Sequence, residues 1–141
     1  QPLFEQMEAF YKAHEYDNPA GLEATVWAVG PGRAVEEGSR AVYDYVRSIV
    51  YKRLGNGPST GRAIAPEFPA YGNLDKITAP TLVIHGDHDT SVIQAIGKVL
   101  VEGIHGARLH IMSNAAHLPN MEYPDMFNRL VLDFLAESIS V

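Results

Sequence analysis

From Pro80 to Leu135 the apolar residues change period repeatedly, and this limits the folds open to the chain more than any other feature. "TLVIH" (Thr81 to His85) is a continuous apolar run closed off by Pro80 and Gly86, the pattern of a short strand buried on both faces. Val92, Ile93, Ile96, Val99 and Leu100 then recur at helical spacing up to Gly103. "ARLHIM" (Ala107 to Met112) predicts a second strand, and Pro124 opens a last helix with Met126, Phe127, Leu130, Val131, Phe134 and Leu135 as its apolar stripe. These parts have the size of a parallel βαβ crossover followed by one more helix.

Parallel strands send the loops that follow them to the same edge of the sheet. Asp89 lies in the loop after the first strand and His117 in the loop "SNAAHLPN" after the second. Strands about 4.8 Å apart can bring that carboxylate within hydrogen-bond reach of the imidazole. In such a pair the carboxylate holds the ring's tautomer and stabilises the imidazolium formed when the histidine takes a proton from a nucleophile. The competing reading is structural: Asp89 caps the helix that begins near Val92, and His117 is a loop residue with a local hydrogen bond.

The first 54 residues predict three helices. Leu3, Met7, Phe10 and Tyr11 share one face of the first. Asn18 and Pro19 open a second, which carries Leu22 and Val26 and stops at Gly30-Pro31-Gly32. Ser39 caps a third with Val42, Val46, Ile49 and Val50 on one side and Gly55 just past its end, although its β-branched and tyrosine content leaves a strand reading open. From Gly55 to Gly72 glycines alternate with Pro58, Pro66 and Pro69, so this stretch is a connector.

Composition removes several function classes. A hydrophobic content of 46% with 20% charged residues belongs to globular proteins rather than disordered ones. A formal charge of −6, with no basic cluster longer than Lys52-Arg53, argues against nucleic acid as a partner, since that binding relies on neutralising several phosphates. The absence of cysteine excludes a disulfide framework, a thiolate metal site and a thiol nucleophile, and fits a cytoplasmic protein. No apolar run approaches the roughly 18 residues of a membrane helix, and "QPLFEQMEAF" lacks the basic start and apolar core of a signal peptide, so neither a membrane nor an address is expected. A start at Gln1 points to processing, a boundary or an incomplete chain.

"APTLVIHGDHDTSV" followed by "ARLHIMSNAAHLPNMEYPDMFNRLVLDFL" closely resembles the C-terminal half of α/β-hydrolase-fold enzymes: apolar strand, G-x-x-D, helix, strand, and a His-x-Pro loop before the last helix. The resemblance spans Leu74 to about Ala136. It implies that Asp89 is the acid and His117 the base of a catalytic triad. The helical first half, including "WAVGPGR" from Trp27, is similar to the cap that many members insert ahead of this segment. The expected architecture is therefore α/β: a helical cap and connector over residues 1–73, then a β-α-β-α segment of the hydrolase core over 74–141. No nucleophile elbow, preceding strands or oxyanion-hole loop of the family is recognisable.

That departure decides two rival sites. Gly57-Pro58-Ser59-Thr60-Gly61 fits G-x-S-x-G, and Ser59, Asp89 and His117 follow the family's chain order. An elbow, however, needs a buried strand before it and a helix after it. Here "YVRSIVYKRLGN" precedes and the proline-broken "RAIAPEFPAYG" follows, so Ser59 reads as a loop serine and the nucleophile is expected outside the chain. His85-Gly86-Asp87-His88-Asp89 has residue types that bind divalent ions, but it lacks the first histidine pair of the metallo-β-lactamase-like run H-x-H-x-D-H, so no metal is expected. No cofactor is implied either. His14, His105 and His110 read as surface or packing residues.

Trp27, Phe4, Phe10, Tyr43 and Tyr51 either line an apolar pocket beneath the cap or are simply core; Trp27 and Leu118 are the two expected to meet substrate. The expected function is part of a hydrolase that cleaves an ester or lactone, or a related C–C or C–X bond, of a small organic molecule. Its partner would be an N-terminal half of the same enzyme or a second copy of the chain, because two strands leave unpaired edges. The alternative is a non-catalytic fragment or binding module of the same fold.

Overall fold

The computed structural model describes residues 17–56, 61, 64, 66, 67 and 69–139. The helix expected around Leu3 to Tyr11, with Phe4, Phe10 and His14, lies outside them, as does Ser59. Two helices come first: α1 (Asp17–Ala28) and α2 (Arg40–Gly55). Ser39 caps α2 as its position predicts, its hydroxyl accepting the Val42 N–H at 3.4 Å, which settles the strand-or-helix ambiguity in favour of helix. The two helices pack as a hairpin around Ala20, Val50 and Leu54, with Val46 against that cluster. Small residues at Ala20, Ala24 and Ala28 let α1 be fully buried along one side, and Arg53 reaches across to Glu23 at 2.7 Å. Ile49, expected on the buried side, is exposed.

The second half follows the expected β-α-β-α order. Strand β1 (Leu82–Gly86) and strand β2 (Arg108–Met112) are joined by α3 (Ser91–Gly103); a helical turn α4 (Pro119–Glu122) and a long helix α5 (Pro124–Ile139) follow. The strands pair in parallel, with Leu82 opposite Arg108 and Gly86 opposite Met112, so both loops leave the sheet at one edge. α3 packs against β1 and β2. Gly97 permits this approach, because a Cβ there would sit 2.8 Å from the His85 ring. Arg108 fastens α5 to the start of β2, lying over the Phe134 ring and pairing with Glu137 at 2.6 Å.

Two sequence expectations change. β1 was expected to be buried on both faces, yet Leu82 and Ile84 are only half-buried. With Phe127, Val131, Phe134 and Leu135 of α5 they line an open groove of about 390 Å³. The face of α3 read as buried leaves Val92, Ile96 and Val99 exposed. Among the described residues the sheet has two strands, so there is not enough surface to cover every apolar stripe that the sequence provides.

Candidate functional site

Three loops meet at the sheet edge where β1 and β2 end. The first is the turn after α1, where Gly30 has φ +100° and a Cβ would lie 2.4 Å from the His88 carbonyl oxygen. The second runs from Gly86 to Thr90. It is tied to the third by the Asp87 N–H, which donates to Met112 at 3.1 Å, and the His88 N–H, which donates to Ala115 at 2.9 Å. Gly86 is required there, since a Cβ would meet the Ala115 and Ala116 carbonyl oxygens at 2.0 and 2.3 Å. The third loop turns through Asn114 at φ 61° and carries His117.

This stitching brings Asp89 and His117 together: the imidazole Nδ1 lies 2.8 Å from Asp89 Oδ2. An ionised carboxylate can only accept, so the bond assigns the proton to Nδ1 and leaves Nε2 as the ring's free base. The Asp89 side chain is 2% exposed and that of His117 is 35% exposed. Asp89 Oδ1 accepts the Thr90 N–H at 2.7 Å, so both carboxylate oxygens are engaged. The helix-capping role considered for Asp89 belongs to Thr90, whose hydroxyl accepts the Ile93 N–H at 3.4 Å. The arrangement can hold a histidine in one tautomer and stabilise its protonated form, and that is the chemistry of proton transfer to or from a nucleophile.

Trp27, at the end of α1, stands beside the pair. Its indole and the His117 ring have centroids 4.7 Å apart at 51°, and its carbonyl accepts the His117 N–H at 3.1 Å. Leu118 is half-buried, follows His117 in the chain and stands at the N-cap of α4. Tyr43 is half-buried and Tyr51 exposed on α2. The sequence reading missed Glu122. Its carboxylate accepts the Ala116 N–H at 2.9 Å, and burial pushes its pKa above the ordinary value, against the pull of the Ala116 and Leu118 backbone and of Arg33. The only sequence signal for Glu122 is its position near the end of a Pro-initiated turn.

The rival histidines stand apart from this geometry. His85 is 5% exposed under α3; its Nδ1 meets the Gly86 carbonyl at 2.9 Å and its Nε2 has no partner. His88 lies 3.9 Å from Asp87 on the surface, His105 is exposed and His110 half-buried. Among the described residues no group of three His, Asp or Glu is placed to hold a metal ion, and no helix is long and apolar enough to cross a membrane.

No protein-family profile matches the chain. In sequence it is 42% identical over 86 residues to the 2-hydroxy-6-oxononadienedioate/2-hydroxy-6-oxononatrienedioate hydrolase of Klebsiella pneumoniae subsp. pneumoniae, covering 60% of this chain and 30% of that protein. It is 44% identical over 93 residues to the protein of that name from Paraburkholderia xenovorans, covering 66% and 30%. In structure it is similar to a hydrolase from Pseudomonas aeruginosa, with TM-score 0.64 and 28% identity over 95% of this chain and 49% of that one. A bromoperoxidase from Bacillus anthracis shares the fold with TM-score 0.62 at 22% identity, over 92% and 48%. The match thus covers about a third of the length of these curated relatives and about half of the solved chains.

Proposed function

We propose that this chain, which has the fold of α/β-hydrolases and resembles them in sequence, supplies the acid and the base of a hydrolase whose nucleophile lies outside this chain. The observation that carries this reading is the 2.8 Å contact between a buried Asp89 carboxylate and a His117 ring with its other nitrogen unengaged by it. His117 Nε2 removes the nucleophile's proton and later returns a proton to the leaving group, while Asp89 holds the tautomer and stabilises the imidazolium. Trp27, whose ring adjoins that of His117, and Leu118, the next residue in the chain, line the side from which a small organic substrate approaches. The domain division is proposed as cap and connector over 1–73 and core segment over 74–141.

The names of the curated relatives narrow the bond. Both act on a 2-hydroxy-6-oxo-dienedioate or trienedioate, so hydrolysis of a C–C bond next to a ketone is the reaction class best supported for the parent enzyme, ahead of an ester or lactone. The edge of β1 that is unpaired among the described residues and the groove against α5 are the proposed seat of the remaining sheet strands, because an open strand edge presents unpaired N–H and C=O groups. The test assays the chain alone and after assembly with a nucleophile-bearing partner segment, following loss of a 2-hydroxy-6-oxo-dienedioate chromophore and release of p-nitrophenol from an ester. Turnover only in the assembly, abolished by His117→Ala, is the expected result. An assembly whose turnover survives His117→Ala would overturn the assignment, and a well-formed assembly without turnover would favour a non-catalytic module.

A further inference from the structure

We infer that Glu122 is a positioning residue for His117: its carboxylate fastens the backbone amide just ahead of the histidine and thereby sets the ring against Asp89. This rests on the reading of His117 as the base. Besides Glu122, a side chain that anchors the loop is Tyr123, whose hydroxyl donates to the Asn114 carbonyl at 3.4 Å, three residues ahead of His117. Ala115 and Ala116 are fully buried and carry no polar side chain, and their carbonyls are pressed over Gly86. The Ala116 N–H is therefore shut away from water, and its partner is Glu122 Oε1 at 2.9 Å. On the other side of His117 the Leu118 carbonyl accepts the Glu122 N–H at 3.0 Å, so that flank is held by the main chain of the same residue.

Between these two flanks, the His117 N–H donates to the Trp27 carbonyl, so the peptide of the histidine is held from α1 while its neighbours are held from downstream. Glu122 can reach back because α4 is a single closed turn: the Met121 and Glu122 N–H groups donate to Leu118 at 2.8 and 3.0 Å, and the Tyr123 N–H to Pro119 at 3.0 Å. Leu118 offers no side-chain cap to this turn, and the carboxylate of its last residue serves the Ala116 amide ahead of it.

The prediction concerns the His117 Nδ1 proton, which NMR detects as a downfield resonance when it is held by Asp89. In the full 141-residue chain this resonance should vanish in Asp89→Asn and persist in Glu122→Gln, whose amide oxygen still accepts the Ala116 N–H. In Glu122→Ala its exchange with solvent should quicken by about tenfold, the factor that corresponds to roughly one lost hydrogen bond. Glu122→Asp keeps the charge but is one methylene too short, and should behave like Glu122→Ala; it decides the matter if the alanine variant does not fold. Unchanged exchange in folded Ala or Asp variants would overturn the role of Glu122 alone. Absence of the resonance from the unmodified chain would overturn the pair itself, and this inference with it.

Discussion

Asp89 and His117 meet at 2.8 Å but arrive there by different means. Asp89 is placed locally: the Asp89 N–H donates to Gly86 at 3.3 Å, Thr90 occupies one carboxylate oxygen, and α3 starts at Ser91. His117 is placed from a distance, by Trp27 of α1 on one side and Glu122 of α4 on the other. The acid is buried and fully bonded, while the base is a third exposed and keeps one nitrogen free of the pair. The triad we propose needs this asymmetry. The orienting group must not move, whereas the proton carrier must remain open to the nucleophile and the leaving group.

The largest effect should come from breaking the fixed side chemically. Asp89→Asn keeps the shape but can present an N–H donor where an acceptor is required, favouring the wrong histidine tautomer. In the assembled enzyme kcat should fall by roughly 10⁴-fold, with the unfolding midpoint of the chain shifted far less. A steady-state assay beside a urea titration reads both, and comparable losses in the two would show that Asp89 serves the fold rather than the reaction.

Next comes breaking the same side sterically. Gly86→Ala places a Cβ 2.0 and 2.3 Å from two carbonyl oxygens, and backbone atoms cannot swing aside as a flexible side chain can. The expected cost is about 3 kcal/mol or more in unfolding free energy, at the upper end for overpacking. Because that clash falls on Ala115 and Ala116, the variant should also separate His117 from Asp89; a stable Gly86→Ala chain with the pair intact would contradict the stitched geometry.

On the distant side the effect should be smaller and different in kind. Trp27→Leu leaves the main-chain bond to His117 possible but removes the ring contact, an interaction worth about 0.5–1.5 kcal/mol for stacked aromatic pairs. The His117 ring should sample more than one rotamer, visible as line broadening of its carbon-bound protons, while the Asp89 loop amides stay sharp. Trp27→Phe should restore most of the order. Equal broadening in both loops would remove the distinction between a locally placed acid and a distantly placed base.

The same asymmetry explains what was legible in the sequence. Asp89 could be found because a strand, a glycine and a carboxylate follow one another within a few residues, and His117 because a parallel partner strand must end at the same edge. The capping of α2 by Ser39 was equally local. The contact between the Trp27 carbonyl and the His117 amide leaves no sequence trace, since a main-chain acceptor has no residue identity. The role of Glu122 depends on a four-residue turn too short to show a helical period. Burial was misjudged where it depends on neighbours: Val92, Ile96 and Val99 share a helix face, but which surface covers a face is a tertiary fact.

The smallest predicted effect separates the two loops by pH. Burial, with a further push from Asp89, raises the Glu122 pKa above 4.5, outweighing the Ala116 and Leu118 backbone and Arg33. A carboxyl raised in the folded state binds its proton more readily there than in the unfolded chain. Just above pH 4.5 the native state therefore holds more protons, and the contribution of this group to stability falls as pH rises through the window up to its folded value. Glu122→Gln carries no titrating proton and keeps the acceptor for Ala116. Urea midpoints measured across the weakly acidic range should decline less with rising pH in the variant than in the parent, and the two curves should run parallel well above that window. A variant curve of the same slope would place the ionisable anchor of the histidine loop elsewhere, and the one chemical difference between the loops at that pH would be gone.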